Sequence, residues 1–130
     1  MPATSNRATH ITGVRTIGVP VRDQRKALEF YTTVLGFSKR LDVPTPQGTR
    51  WIEVSPSSGG PSIALVQEHD GVPAGVETGI RLTTPDADAA RATLLACGVD
   101  ASEVLRWPGV PPMFSFRDQD GNALELVQQP

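Results

Sequence analysis

The sequence holds one cysteine, few aromatic residues and no marked excess of charge of either sign. Cys97 stands alone, so it cannot form an internal disulfide, and no second cysteine suggests a thiolate metal site. Twelve Lys and Arg residues against 14 Asp and Glu leave a net charge of -2. The basic residues are dispersed and offset by acids, which argues against a nucleic-acid partner, since such a partner calls for a basic stripe.

Long apolar runs are also absent. No stretch approaches the roughly 18 apolar residues that a membrane span requires, and the opening MPATSNRATH lacks the apolar segment of a signal peptide. We therefore expect a cytoplasmic protein with no membrane partner, preceded by a loose tail over residues 1–10. The 130 residues are enough for one domain with its own core.

What the sequence does contain is an internal repeat. Residues 12–21 alternate apolar and polar as a half-buried strand does, and apolar residues then recur at helical spacing between a predicted N-cap at Asp23 and Gly36. Three short strand candidates follow, at 37–41, 50–54 and 62–66. The same order recurs from residue 79, with Asp86 as the second N-cap and strands near 102–106, 113–116 and 123–127.

Two βαβββ units predict an α+β fold, because strands joined by hairpins cannot all be parallel. We expect one domain over residues 11–130, with module 1 at about 12–67, a linker at 68–77 and module 2 at about 78–128. The two modules should form a curved, mixed or antiparallel sheet around a cleft, with the helices on the outer face.

Alternation along the strands assigns each side chain to a face of the sheet. The apolar face, which should pack under the helices, includes Ile17, Val19, Ile63, Phe114 and Leu124. The opposite face is more polar and is predicted to line the cleft. It carries Thr16, Trp51, Glu53, Ser62, Ala64, Gly79, Arg81, Met113, Ser115 and Glu125. Trp107 lies in the predicted loop RWPGVPP at 106–112, which is placed to close over the rim.

Glu125 raises a question of its own. It stands between Leu124 and Leu126 in the last predicted strand, where an unpaired carboxylate would be costly. One explanation is that Arg81, Glu53 and Glu125 neutralise one another across the cleft. The other is that the carboxylate contacts a ligand, and the sequence leaves both open.

Two segments carry a family resemblance, VRDQRKALEFYTTVLGF at 21–37 and FRDQDGNALELVQ at 116–128. Through them the chain resembles the vicinal oxygen chelate superfamily, which includes glyoxalase I, extradiol dioxygenases, and the bleomycin and fosfomycin resistance proteins. The resemblance covers nearly the whole chain. With RWIEVSP at 50–56, the sequence is most similar to a widespread group of small bacterial proteins within that superfamily.

In metal-dependent members of that superfamily, four strand positions supply His, Glu or Gln ligands to one divalent ion. Carried over through the matched motifs, these positions hold Thr16, Ala64, Gly79 and Glu125. Alanine and glycine have no ligating side chain, and a threonine hydroxyl is a poor ligand for nickel, zinc, iron or manganese. We therefore expect no cofactor, and a divalent metal is disfavoured. A rearranged metal site would need Glu53 together with His10 or His69. Both histidines are more simply expected to be exposed to solvent.

The resemblance implies a metal-independent, bleomycin-resistance-like protein that sequesters a small organic ligand. Trp51 would stack on the ligand, Arg81 would meet an anionic or carbonyl group, and Glu125 with Glu53 would accept donors or a positive charge. Met113, Ser115 and Trp107 would complete the lining.

Two other functions remain open. One is an enzyme of the lyase, isomerase or dioxygenase kind, with a rearranged metal site or with Glu125 as general base. The other is a partner module whose cleft is vestigial. The resemblance also implies a homodimer, which would cover exposed sheet edges.

Two further features have simple structural explanations. DQDG at 118–121 lacks the spacing of a calcium loop and is expected to be a hairpin turn. Cys97 has no histidine placed to activate it, and we expect it to be buried at the end of the second helix.

Overall fold

The computed structural model describes residues 9–56 and 59–129. Most of the predicted tail therefore lies outside the described residues, as do positions 57 and 58 of the turn predicted before the fourth strand. Module 1 consists of β1 (Thr16–Val21), α1 (Gln24–Glu29), a π-helical segment (Phe30–Val34), β2 (Ser38–Pro44), β3 (Arg50–Ser55) and β4 (Ser62–Gln67). Module 2 consists of β5 (Glu77–Thr84), α2 (Ala87–Ala96), β6 (Leu105–Trp107), β7 (Val110–Arg117) and β8 (Ala123–Gln128).

Each module forms its own four-stranded mixed sheet. The strand order is β1-β4-β3-β2 in module 1 and β5-β8-β7-β6 in module 2. The first strand of each module pairs in parallel with the last, and the remaining pairs are antiparallel. The predicted α+β fold with two βαβββ modules is confirmed.

Both helices begin at the predicted caps. The carboxylate of Asp23 accepts hydrogen bonds from the backbone N–H groups of residues 25 and 26 at 3.0 and 3.1 Å, and Asp86 accepts one from residue 89 at 3.0 Å. These bonds satisfy N–H groups that have no partner in the first helical turn. Among the described residues, no helix has the length and apolar character needed to cross a membrane.

The periodicity predicts one continuous α-helix up to Gly36, but the structure differs. After Glu29 it widens into the π-helical segment, where the N–H of Leu35 donates to the carbonyl of Phe30 at 3.1 Å. Gly36 follows with a φ of 77°, a left-handed conformation that suits glycine and ends the helical run.

One hydrophobic core includes residues of both modules. Its fully buried members include Val19, Tyr31, Leu65, Phe114 and Leu124. The residues predicted for the apolar face are thus buried or half-buried in both sheets, with one exception. Ile17, near the start of β1, is exposed, whereas Val19 and Val21 further along the same strand are fully buried.

A buried polar network joins module 1 to the turn between β7 and β8. The Tyr31 hydroxyl donates to Asp118 Oδ2 at 2.8 Å, and Asn122 Nδ2 donates to the same oxygen at 2.9 Å and to the carbonyl of Pro20 at 2.8 Å. Burial, followed by the Asp118 carboxylate, raises the pKa of Tyr31, so its hydroxyl stays a donor. The predicted DQDG turn is confirmed, with the Gly121 N–H donating to the carbonyl of Asp118 at 3.0 Å.

Module 2 departs from prediction in the β6–β7 hairpin, where β7 already begins at Val110, and at Cys97. Strand β6 begins at Leu105, later than predicted, and Trp107 is its last residue, paired with Val110 across a tight turn. Trp107 therefore lies in a hairpin rather than in a loose loop. Cys97 is exposed, not buried, because the helix turns it outward at the C-cap of α2.

Candidate functional site

The polar face of module 1 is organised around Glu53. Strand β3 places Trp51 and Glu53 two residues apart and therefore on the same face of the sheet. Glu53 is only 4% exposed. Its carboxylate accepts hydrogen bonds from Nε1 of Trp51 at 2.6 Å, from the hydroxyl of Ser62 at 2.7 Å and from the guanidinium of Arg15 at 2.7 Å.

Ser62 links this cluster to the start of β1. Ser62 and Thr16 are opposite one another in the parallel β1–β4 pair, and their hydroxyl oxygens are 2.9 Å apart. The Thr16 hydroxyl is also 3.1 Å from the Ser62 carbonyl, to which it donates, and the Ser62 N–H donates to the carbonyl of Arg15 at 3.1 Å. These bonds hold Arg15 beside Glu53 although it precedes the strand.

The donors around Glu53 keep its carboxyl group ionised. The hydrogen bond from Trp51 is the largest influence and lowers the pKa of Glu53. Burial acts in the opposite direction, and the hydrogen bonds from Ser62 and Arg15 add to the lowering. Glu53 is therefore a fixed negative charge within the cluster rather than a group prepared to take up a proton.

On module 2, Glu125 is paired with Arg81. The two residues are adjacent on the parallel strands β5 and β8, and Nε of Arg81 lies 2.9 Å from Oε1 of Glu125. Ser115 is opposite Glu125 on β7. The expected pairing of Arg81 with Glu125 is present, but Glu53 pairs with Arg15 and not across a cleft with Arg81.

The predicted site residues thus fall into two groups on two sheets. Trp51 and Glu53 belong to module 1, whereas module 2 carries Arg81, Met113, Ser115, Glu125 and, at the end of β6, the exposed Trp107. Within residues 9–56 and 59–129, no hydrogen bond or ion pair connects one group to the other.

The four positions that would hold a metal do not form a suitable donor set. Ala64 is buried, and Gly79 has a φ of 73°, a conformation that a ligating residue would adopt only with strain. Thr16 is hydrogen-bonded to Ser62, and Glu125 is paired with Arg81. In the part of the chain that the structure describes, no three His, Cys, Asp or Glu side chains come together as metal ligands would.

Two surface cavities adjoin the module 1 cluster. One, of about 430 Å³, is bordered by Trp51, Val66 and His69. The other, of about 290 Å³, is bordered by Arg15, Glu53 and Ser62. Both volumes are of the order that small-molecule sites occupy. Of the residues that build the cluster, Ser62 was predicted to share this face, whereas Arg15 was missed. Arg15 lies within the strand predicted over residues 12–21, where it is in phase with Ile17 and Val19 of the apolar face, but in the structure β1 begins only at Thr16.

The fold and these two polar faces define a small α+β protein of paired βαβββ modules. The family model of the Glyoxalase/Bleomycin resistance protein/Dioxygenase superfamily matches residues 8–126. The chain therefore belongs to this superfamily.

Solved structures agree with this assignment. A superfamily member from Sphaerobacter thermophilus DSM 20745 is 35% identical, with a TM-score of 0.86 over 92% of this chain and 99% of that one. TnmS3, an antibiotic binding protein from Streptomyces sp. CB03234, is also 35% identical, with a TM-score of 0.82 over 92% of this chain and 98% of its own. No match was found among curated proteins.

Proposed function

We propose that this protein binds and sequesters a small organic ligand without using a metal or another cofactor. The observation that carries the proposal is the content of the four metal positions: Thr16, Ala64 and Gly79 offer no good ligand, and Glu125 is held by Arg81. The antibiotic-binding function of TnmS3, at 35% identity over almost the whole chain, supports an antibiotic-like ligand.

The two polar faces would contribute different contacts to the ligand. Trp51, which is 37% exposed, offers a flat surface on module 1. On module 2, Arg81 uses Nε for Glu125 and still has further N–H donors for a carbonyl or anionic group. Met113 and Ser115 lie on the same sheet and would add an apolar and a hydrogen-bonding contact.

A homodimer is part of this proposal. Strands β1 and β2 are the edges of one sheet and β5 and β6 the edges of the other, so each chain presents strand edges that a second copy could cover. We place the protein in the cytoplasm, in keeping with its lone, exposed cysteine.

Elemental analysis tests the metal-independent part of the proposal. Tag-free protein would be incubated with nickel, zinc, manganese and iron(II), freed of excess metal and analysed. We expect no metal to be retained near one per chain. A metal that is retained at that ratio and lost in Glu125→Ala would overturn the proposal and favour the lyase, isomerase or dioxygenase alternative.

Ligand screening tests the binding part. A panel of antibiotics would be added to the apo protein, and binding would be read as a rise in Tm. Arg81→Met should weaken binding, whereas Arg25→Met, at an exposed arginine of α1, should leave it unchanged. If no panel member raises Tm, a partner module with a vestigial cleft becomes the better explanation.

A further inference from the structure

We propose that Glu53 is a positioning residue that holds Trp51 as a stacking platform for a planar, electron-poor aromatic ring. This inference rests on the proposed function, because the platform would belong to the same ligand site, and it specifies the chemical class of the ligand.

The orientation of the Trp51 ring is fixed by hydrogen bonding. Its indole N–H donates to Glu53 at 2.6 Å, and Glu53 is itself held by Ser62 and Arg15 at 2.7 Å each. A ring tied to a buried and fully engaged carboxylate loses little further freedom when a ligand stacks on it. The platform is therefore organised before a ligand arrives.

The hydrogen bond also determines what Trp51 can offer. Because its only polar group is used by Glu53, the exposed part of Trp51 presents π surface and no hydrogen-bond donor. Among the described residues, the close aromatic pairs are Phe30 with Tyr31, Tyr31 with Phe37, and Phe114 with Phe116. None involves Trp51, which borders the cavity of about 430 Å³.

The Glu53 carboxylate also influences which kind of ligand the face of the Trp51 ring favours. An N–H group that donates to an anion returns electron density to the indole, which strengthens the negative face of its quadrupole. Such a face favours an electron-poor or cationic ring. Because Arg15 neutralises Glu53, this preference would come from the ring rather than from a local excess of charge.

Two probes of equal charge separate stacking from simple charge attraction. N-methylquinolinium is planar and electron-poor, whereas N,N-dimethyl-decahydroquinolinium has the same charge and no π system. Affinities would be measured by calorimetry on the full chain. We expect the planar probe to bind about 3- to 10-fold more tightly, the effect of one aromatic or cation–π contact. Equal affinities, or binding of neither probe, would overturn the inference.

Variants assign that preference to the two residues. In Trp51→Leu the two probes should bind equally, and in Glu53→Gln the preference should fall at least twofold because the charge is lost. Ser62→Ala removes one donor to Glu53 and serves as a second, milder variant should Glu53→Gln fold poorly. Ser38→Ala, at an exposed position of β2, is the matched control. An unchanged preference in Glu53→Gln or, where that variant does not fold, in Ser62→Ala rules out positioning by Glu53.

A spectroscopic readout separates positioning from a general loss of stability. Trp107→Phe leaves Trp51 as the sole indole. In this background, Glu53→Gln should weaken the near-UV circular dichroism of the indole, while Ser38→Ala should not. If antibiotics from the panel bind wild type and Trp51→Leu equally, the proposed function stands and the platform is refuted. If the protein retains a metal and turns over a substrate, the proposed function itself fails.

Discussion

The hydroxyl of Tyr31 donates a hydrogen bond to Oδ2 of Asp118 at 2.8 Å, although 87 positions of sequence separate the two residues. Tyr31 belongs to VRDQRKALEFYTTVLGF and Asp118 to FRDQDGNALELVQ, the two segments through which the chain resembles its superfamily. The segments therefore meet in space, at a joint between the modules rather than among the candidate ligand residues. What they specify most directly is the fold.

Tyr31→Phe should destabilise the protein without altering its fold. The ring can still pack, but Asp118 loses a buried donor, and we expect the free energy of unfolding to fall by about 1–3 kcal/mol. Urea denaturation would measure the change. The control is Thr33→Ala, an exposed position in the same π-helical segment, where the change should stay within about 0.5 kcal/mol. A similar loss in both variants would contradict a specific role for the hydroxyl.

Asn122→Ala should be more damaging. Asn122 is fully buried, and its amide donates to Pro20 and Asp118 while its Oδ1 accepts from the backbone N–H groups of residues 75 and 76. Truncation leaves several buried groups without partners, and we expect a loss of about 3–5 kcal/mol in urea denaturation. Gln129→Ala, at an exposed position, is the control. A loss below that of Tyr31→Phe would show that water replaces the amide.

Glu53 should make stability depend on acidic pH. Its pKa is lowered in the folded state, so its contribution is fully present above the unfolded value of about 4.3 and is lost as pH falls through the folded value. We expect Glu53→Gln to be less stable than wild type at neutral pH and to lose less stability between about pH 5 and pH 2. Urea titrations at several pH values would measure how steeply the free energy of unfolding of each protein changes with pH. Equal pH dependence in wild type and Glu53→Gln would contradict this role of Glu53.

The fold was predictable because its signals are local and periodic. Alternation identified the buried face of each sheet, and the caps at Asp23 and Asp86 identified where the helices begin. Strand parity also placed Arg81 and Glu125 on the same polar face, and their pairing was one of the two explanations that the sequence left open. Each of these inferences needed only the spacing of neighbouring residues.

The details that prediction missed have different causes, and one of them depends on contacts between distant segments. Arg15 precedes β1, and only the folded arrangement of β1, β3 and β4 brings it to Glu53. The π-helical segment cannot be distinguished from an α-helix by apolar spacing over five residues. Cys97 was expected inside because cysteine is usually buried, whereas its position at the C-cap of α2 exposes it.

The Arg81–Glu125 pair should contribute little to stability. The two side chains are 65% and 38% exposed, and such pairs are screened by water, so a double-mutant cycle with Arg81→Met and Glu125→Gln should give a coupling energy below about 1 kcal/mol. The cycle of Arg15→Met with Glu53→Gln is the comparison, and its coupling should be larger because Glu53 is buried. A coupling above about 2 kcal/mol at Arg81–Glu125 would make that pair structural and remove it from the candidate ligand residues. A small coupling would mean that the fold does not require the pairing of these two charges and would keep both residues among the candidate ligand contacts.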